Sequence, residues 1–578
     1  MKSRMKQIQG ILICSAIGLS LAACSGKSAD NKTTVKNELQ PAETGSEALQ
    51  PESLNNTESG DEEKEAFRYP DIVISSRSYY EVNDDGLILL QGYIRAPFVS
   101  EDGSEYFPEL ANSLNTASKK AISDMDALAK EHVEDAKSEL VEYPDMPNFG
   151  YTEEKNVAIQ RLDDKVLSMY YPIYSFYSGA AHGMYGNDNI TYDVKTGKEL
   201  RLTDVLKDTS RLPELIKDAL YEEYADYPDL LEEMESFGSF GDDGALSHFD
   251  AEAVESWYSD DYMDYKYPYT WVLTPTGIQF YFGPYMLASY AAGAQAVTLD
   301  YDKYPEIFNS EYLPENNSGF VYNCGPYSTN LFDLDGDGKR DQLSIEREYD
   351  KDYTYIKAIT VSVGNKSAAV KDLWIDSESG SPGEEYESYF IHTDDGRNYL
   401  YLFVPLENDY MELLMFDLND GVKYIGEEYY CVAYTELGNG EYATEALLTD
   451  PDRLILNSRF DIVATMTGSR QYYIGADGRP KSDDEYFTIG WNAAWEPVRF
   501  LKEVKADIVD ESGKTIAADE TIKPGESFEP LRTDGKTFID IILSDGRIAR
   551  LKITDVEYPC YIDGMSAEEI FGNLYYVG

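Results

Sequence analysis

An aspartate-rich loop, DLDGDGKRD at residues 333–341, carries the clearest chemical pattern in the sequence. Aspartates occupy positions 1, 3, 5 and 9 of the loop, with a glycine at position 6 for a sharp turn. Alternating carboxylates of this kind supply the hard oxygen ligands that Ca²⁺ prefers. We therefore predict a structural calcium site. Its predicted ligands are the carboxylates of Asp333, Asp335, Asp337 and Asp341 and the backbone carbonyl of Lys339.

The loop is not a complete EF-hand. Position 12 is Ser344, where an EF-hand has a bidentate glutamate, and the following QLSIER alternates like a strand rather than a helix. The alternative to a calcium site is a metal-free turn of aspartate and glycine. The sequence leaves both interpretations open.

A second candidate is His182 in the glycine-rich segment SGAAHGMYG, residues 178–186. A catalytic histidine needs a partner within hydrogen-bond reach, and a metal site needs further ligands at suitable spacing. There is no convincing Gly-x-Ser-x-Gly motif, and His132, His248 and His392 show no ligand spacing. We predict that His182 belongs to a turn that fixes two strands, and we predict no catalytic residue.

Aromatic and acidic residues interleave in YSDDYMDYKYPYTW, residues 258–271. In a strand, alternate side chains share one face, and exposed aromatics on such a face can stack on sugars or anchor a protein partner. The alternative is a half-buried sheet face. The candidate ligand-binding residues are Tyr265, Tyr267, Tyr269 and Trp271.

The N-terminus predicts export and lipidation. A basic start is followed by a short apolar run that ends in LAAC, residues 21–24. This order resembles the bacterial lipobox, which implies cleavage after residue 23 and acylation of Cys24. We therefore expect a lipid anchor on the extracytoplasmic face of the cell membrane. An ordinary signal peptide is the alternative.

Composition limits the partners. The chain has 107 acidic and 49 basic residues, a net charge of -58, which disfavours nucleic acid and favours cations and basic proteins. The alternative is that the charge only keeps a secreted protein soluble. Residues 24–68 are rich in Ser, Thr, Asn, Glu and Pro, which predicts a disordered tether.

Beyond Cys24 only Cys324, Cys431 and Cys560 remain, too few for a disulfide framework. Buried, reduced thiols are favoured over one bridge with a spare thiol.

The remaining pattern predicts an α+β domain over 69–312 and a mainly β region after it. The first contains a hairpin around an Asp-Asp-Gly turn and a long helix, with apolar residues from Leu110 to Leu128 at three- and four-residue steps. In the second, Asp-Gly turns separate short Tyr-, Ile- and Val-rich runs. We place a β-rich domain at 313–500 and a small β domain at 501–578, for which an SH3-like barrel is one option. Ser566 and Glu569 have the spacing of a capping box for a final short helix.

Two longer segments resemble a known family. YSFYSGAAHGMYGNDNITYDVKTGKELRLTDVL and GIQFYFGPYMLASYAAGAQAVTLDYDKY are similar to the hallmark motifs of the extracellular domain of RsiV-type anti-sigma factors, which sense lysozyme. The same domain accompanies a peptidoglycan deacetylase. The resemblance covers about 240 residues, 69–312, and implies an α+β fold facing the cell wall.

The sequence also departs from that family. It shows neither the cytoplasmic sigma-binding segment nor the transmembrane helix of the lysozyme sensor, so we expect no inward signalling by that route. It also lacks the metal-binding Asp and His constellation of the deacetylase relatives. We expect a non-catalytic, lipid-anchored surface protein that binds a lysozyme-like basic protein or peptidoglycan. The alternatives are an enzyme, or an accessory subunit, acting on cell-wall glycans through paired acids, and a structural module of a surface assembly.

Overall fold

The computed structural model describes most of the chain from residue 67 onward. The described residues are 67–144, 149–241, 244–248, 270–315, 318–324, 329–351, 355–376, 387–406, 410–431, 435–438, 441–443, 445–490, 498–572, 574 and 576. The proposed lipidation site, residues 24–66 of the predicted tether, and Tyr265, Tyr267 and Tyr269 of the aromatic stretch lie outside them.

The predicted α+β architecture is confirmed in the first part of the chain. Its strands are β1 (Ile72–Val82), β2 (Ile88–Val99), β3 (Tyr151–Lys155), β4 (Ala158–Leu162), β5 (Val166–Tyr170), β6 (Pro172–Phe176), β7 (Met184–Asn187), β8 (Ile190–Asp193), β9 (Thr270–Leu273), β10 (Gly277–Phe282) and β11 (Gln295–Asp300). Its helices are α1 (Glu101–Tyr106), α2 (Pro108–Glu142), α3 (Leu202–Val205), α4 (Leu212–Glu223) and α5 (Pro228–Ser236). Short 3₁₀ turns lie at Ala245–His248, Tyr290–Ala292 and Ser310–Tyr312.

Local sequence explains the opening hairpin and the long helix. β1 and β2 pair antiparallel, and the Asn83 side chain accepts the backbone N–H of Asp85 and of Leu87 within the turn. α2 begins with Pro108 in its first turn, where the missing N–H costs no helical bond. Its buried face packs on β2, as the apolar spacing predicts. That face includes Leu110, Leu114, Ile122 and Met125.

These elements build three sheets. The first sheet has the strand order β23-β1-β2-β3-β6-β7, in which β23 (Glu445–Ala446) comes from a later part of the chain. The second sheet has the order β4-β5-β8, and the third has the order β11-β10-β9. α4 packs on β11, and one apolar cluster encloses Leu215 and Ile216 of the helix together with Val297 and Leu299 of the strand. The opposite face of β11 therefore carries Thr298 and Asp300, because side chains alternate along a strand.

The region after residue 312 is mainly β, as predicted. Its strands before residue 447 are β12 (Phe320–Asn323), β13 (Thr329–Phe332), β14 (Asp341–Tyr349), β15 (Tyr355–Val363), β16 (Lys366–Asp376), β17 (Glu387–His392), β18 (Asn398–Pro405), β19 (Tyr410–Asp417), β20 (Lys423–Cys431), β21 (Thr435–Gly438), β22 (Glu441–Ala443) and β23. They form the sheets β12-β17-β18-β19-β20, β13-β14-β15-β16 and β21-β22.

The last part of the chain forms one large sheet with short side branches. Its strands are β24 (Leu454–Asp461), β25 (Thr465–Ile474), β26 (Pro480–Lys481), β27 (Phe487–Gly490), β28 (Val498–Phe500), β29 (Val504–Val509), β30 (Thr515–Ile522), β31 (Ser527–Thr533), β32 (Phe538–Leu543), β33 (Ile548–Asp555), β34 (Tyr561–Ile562), β35 (Met565–Ser566) and β36 (Phe571–Gly572). The main path runs β24-β25-β27-β31-β32-β33-β29-β30. The expected boundary near residue 500 falls inside this sheet. The short helix α6 (Ala567–Ile570) is confirmed, with the Ser566 hydroxyl accepting the backbone N–H of Glu569.

The core is continuous across residue 312. One apolar cluster contains Ile72 and Leu114 from the first region and Tyr401, Leu413 and Leu454 from the second. β23 also pairs with β1, which adds a strand from the second region to the first sheet of the α+β part. The two regions therefore share an interior.

No helix within the described residues is long and apolar enough to cross a membrane.

Candidate functional site

The Asp-rich loop connects β13 to β14 and gathers its carboxylates at one point. Carboxylate oxygens of Asp333, Asp335 and Asp341 lie within 4.8 Å of one another, and no other metal-type cluster of His, Cys, Asp and Glu occurs among the described residues. Gly336 and Gly338 have φ of 78° and 84°, a conformation that favours glycine. The predicted strand after the loop is present as β14.

Backbone N–H groups orient these carboxylates. Gly336 and Gly338 donate to Asp333 at 2.7 and 2.8 Å. Leu334 donates to Asp341 at 2.8 Å. One oxygen of Asp341 also accepts the Asp335 N–H, but each of the three carboxylates keeps at least one free lone pair, so the cluster retains ligand capacity for a hard cation such as Ca²⁺.

Two predicted ligands lie outside this cluster of three. Asp337 is exposed, and its carboxylate accepts the backbone N–H of Lys339 at 2.8 Å. The three clustered carboxylates are the part of the predicted ligand set that the structure brings together. The carboxylate of Asp337 and the carbonyl of Lys339 remain predicted ligands.

Arg340, inside the same loop, contacts the α+β part. Its guanidinium donates to Asp300 of β11 at 2.5 Å and to the backbone carbonyl of Thr298 at 3.2 Å. It also lies 3.4 Å from the carboxylate of Glu223 at the end of α4. No sequence pattern indicates this contact, because Glu223 and Asp300 lie 117 and 40 residues from Arg340 in the chain.

His182 lies in the connection between β6 and β7, the turn that the sequence predicts. Its ring is exposed, and Nδ1 lies 2.9 Å from the carbonyl of Gly183. A side chain at Gly183 would collide with the ring of Tyr174, since its Cβ would lie 2.2 Å from a ring carbon. The glycine is therefore required by close packing rather than by chemistry at the histidine.

Five rings meet at this turn and form what we call the aromatic cluster: Tyr174, His182, Tyr185, Tyr285 and Tyr290. The His182 ring stacks on Tyr290 with a centroid distance of 4.1 Å, and the centroids of Tyr285 and Tyr290 are 5.5 Å apart. The Tyr290 hydroxyl donates to the carbonyl of Gly183 at 2.9 Å. Two segments far apart in the sequence, residues 174–206 and 277–304, thus come into contact here.

Tyr285 is the prominent member of the aromatic cluster. It is 53% exposed and has φ of 69°, in the left-handed region that non-glycine residues rarely adopt. Such strain costs about 1–3 kcal/mol and tends to occur at functional sites. Met184, two residues after His182 in the sequence, is also exposed, at 38%. The sequence pattern alone does not distinguish Tyr285 from the other tyrosines of its segment.

The predicted aromatic surface at 258–271 is described only at its end. Trp271 lies in β9 and is buried, 3% exposed, in the cluster that holds Leu215 and Phe280. At this position the side chain is more deeply buried than the half-buried sheet face of the alternative, because Trp271 pairs with Phe280 of the central strand β10. Trp271 is therefore corrected from candidate ligand-binding residue to core residue.

The three remaining cysteines are buried, free thiols. Burial raises the pKa of Cys324 to about 12 and that of Cys560 to about 11. Thiols held in this protonated form are poor nucleophiles and poor metal ligands, and they act as small core residues.

Comparison with known proteins identifies one domain. Residues 203–302 match the family described as "Protein of unknown function (DUF3298)". The chain is similar to a crystal structure of a DUF3298 family member from Bacteroides fragilis, with 18% identity, a TM-score of 0.32, and coverage of 42% of this chain and 95% of that one. It is also similar to a DUF3298 family protein from Pseudomonas aeruginosa, with 14% identity, a TM-score of 0.28, and coverage of 43% and 98%. No curated protein gave a match.

Proposed function

We propose that this chain, which carries a DUF3298 domain at residues 203–302, is a lipid-anchored cell-surface protein that binds a cell-wall-related partner without catalysing a reaction. Cys24 would hold it on the extracytoplasmic face of the membrane. The partner would be a lysozyme-like basic protein or peptidoglycan. The observation that carries the proposal is the exposed, strained Tyr285 within the aromatic cluster.

The shape and composition of the aromatic cluster support partner binding. Tyrosine offers a large contact area with few rotatable bonds and is enriched at binding hot spots. Tyr290 is tied to Gly183 by its hydroxyl, and Tyr285 contacts Tyr290, so the exposed ring rests on a fixed base. A rigid aromatic surface loses little entropy when it docks.

The resemblance to RsiV-type domains supports the same proposal. The first of the two resembling segments contains His182, and the second contains Tyr285 and Tyr290. These segments are separated by about 100 residues in sequence and meet in the aromatic cluster. The chain's net charge of -58 would further draw a basic protein toward it.

The proposed binding is tested by its salt dependence. The immobilised full-length protein is exposed to lysozyme and, separately, to purified cell wall at low and high ionic strength. We expect saturable binding to at least one of them at low salt. Binding of a cationic protein should weaken as salt rises, because the Debye length falls from about 30 Å at 0.01 M to about 8 Å at 0.15 M. Absence of binding to both at low salt would refute the proposal.

We also propose that the Asp-rich loop binds Ca²⁺ as a structural ion. The support is the convergence of Asp333, Asp335 and Asp341 on backbone amides that fix their orientation. Negative charges held this close repel one another, and a divalent cation between them would offset that repulsion.

Calcium titration of the full-length protein by calorimetry should show one binding event that Asp333→Asn removes. Asp545→Asn is the matched control, because Asp545 is an exposed turn aspartate in a different loop, paired with Arg547. This control should bind Ca²⁺ like the unmodified protein. The calcium proposal fails if the unmodified protein binds no Ca²⁺ at millimolar concentration, or if Asp333→Asn binds it unchanged.

A further inference from the structure

A cleft of about 1170 Å³ borders the DUF3298 domain away from the aromatic cluster. It is lined by residues of α4 and β11 and by residues of β12, β13 and the Asp-rich loop. No member of the aromatic cluster lines it. A concave surface of this size that combines apolar walls with a few converging polar groups is the usual form of a small-ligand site.

A connected set of polar side chains lines the cleft. Arg340 bonds to Asp300 and lies 3.4 Å from Glu223, and the Asn330 amide donates to the other oxygen of Glu223. Burial raises the pKa of the Glu223 carboxyl. The set offers donors and acceptors side by side on a scaffold of helix and strand.

Thr298 adds an independent observation. It lies on the same face of β11 as Asp300, is 4% exposed, and lines the cleft. Its hydroxyl oxygen is buried and has no hydrogen-bond partner among the described residues. A buried polar atom without a partner is costly, so each one in a native protein calls for an explanation such as a bound molecule.

The lining charge argues against an anionic ligand, because acidic side chains outnumber basic ones in the cleft. Nine Asp and Glu and four Lys and Arg line the cleft, nearly the same ratio as the 107 to 49 of the whole chain. Three of the four cations are already paired with cleft carboxylates: Arg161 with Asp163, Lys303 with Glu222, and Arg340 with Asp300. A charged ligand would compete with these pairs, whereas an uncharged ligand rich in hydroxyls would only exchange hydrogen bonds with water.

Aromatic rings complete the lining. Phe320 and His392 both border the cleft and stack with a centroid distance of 5.2 Å. Half-buried rings beside hydrogen-bonding groups suit a molecule with one apolar face and a polar edge, which is the character of a pyranose ring.

We propose that this cleft binds an uncharged saccharide, with the Thr298 hydroxyl and the Glu223, Asp300 and Arg340 side chains as its hydrogen-bonding partners. The proposal goes beyond partner binding at the aromatic cluster, because it assigns a second, separate site between the DUF3298 domain and the β strands that follow it. It stands whether or not the aromatic cluster binds a protein.

The test is calorimetric titration of the full-length protein with the tetrasaccharide of N-acetylglucosamine. The unmodified protein should bind it, and Thr298→Val should weaken binding about tenfold, the effect of one lost hydrogen bond of about 1.4 kcal/mol. Thr298→Val keeps the side-chain shape and removes an unpartnered hydroxyl, so its thermal midpoint should be equal or higher. Thr515→Val, an exposed threonine of β30, is the matched control and should bind normally.

Three results would overturn the saccharide proposal. They are absence of binding to the unmodified protein at millimolar tetrasaccharide, unchanged binding by Thr298→Val, and binding of pentalysine in place of the sugar. Glu223→Gln provides a second variant of conserved shape, which should also weaken binding. Because Tyr285 lies outside the cleft, Tyr285→Ala should leave saccharide binding unchanged, which separates this test from that of the proposed function.

Discussion

A chain that ends at residue 312 is expected to lose cooperative folding, although the sequence pattern places a complete α+β domain before that point. The shared apolar cluster has fourteen buried members before residue 312 and thirteen after it. Truncation would expose the first set to water at about 25 cal/mol per Å² of apolar surface. Even if these fourteen side chains were only partly exposed, the free-energy cost would exceed the net stability of about 5–15 kcal/mol that a typical domain has.

The truncated chain also loses β23, which pairs with β1 at the edge of the first sheet. Circular dichroism and thermal unfolding should show a broad transition or aggregation in place of one cooperative step. A chain that begins at residue 67 is the control, and it should unfold at the same midpoint as the full-length protein. A truncated chain with a sharp transition near the full-length midpoint would show that the α+β part folds alone.

Asp540→Asn is expected to cost about 3–5 kcal/mol, the loss seen when one partner of a buried ion pair is removed. Asp540 is fully buried in β32. It accepts Nε of Arg532 at 2.8 Å and both Nε and Nη2 of Arg550, at 2.7 and 2.8 Å. Asparagine keeps the shape but removes the charge, and its amide nitrogen would face guanidinium donors.

Asp545→Asn is the matched control for this prediction. It makes the same change two residues after the end of β32, at an exposed pair in which Asp545 lies 2.7 Å from Arg547. Exposed pairs contribute little, so this variant should unfold at nearly the same denaturant concentration as the unmodified protein. Equal denaturation midpoints for Asp540→Asn and Asp545→Asn would contradict the assigned role of the buried network.

Local patterns predicted local structure well. The hairpin formed by β1 and β2, the helix α2 and the turn geometry of the Asp-rich loop all depend on residues close together in sequence, where periodicity and turn chemistry act directly. The capping of α6 by Ser566 is a further example. Each of these elements needs no information from a distant part of the chain.

Long-range packing set the features that the sequence did not reveal. The shared core, the pairing of β1 with β23, and the contact of Arg340 with Glu223 join segments more than 100 residues apart. Trp271 illustrates the same limit. Its alternation with tyrosines is compatible with an exposed or a buried face, and only the packing of β9 beside β10 shows that the ring is buried.

The candidate sites follow the same division. The Asp-rich loop could be recognised as a candidate metal site because its predicted ligands lie within nine residues. The aromatic cluster and the cleft could not be assembled from sequence. Tyr285 had to be brought to His182, and Thr298 to Arg340, by strands and turns whose arrangement depends on the whole fold.

The role of the aromatic cluster is tested by comparing Tyr285→Ala with Tyr80→Ala in the low-salt binding assay with lysozyme and purified cell wall. Both tyrosines are strongly exposed, at 53% and 62%, but Tyr80 lies on the β1–β2 hairpin outside the aromatic cluster. If the aromatic cluster binds the partner, Tyr285→Ala should lower affinity by about 30-fold, a hot-spot loss of about 2 kcal/mol, while Tyr80→Ala binds like the unmodified protein. Equal binding by the two variants would contradict the account.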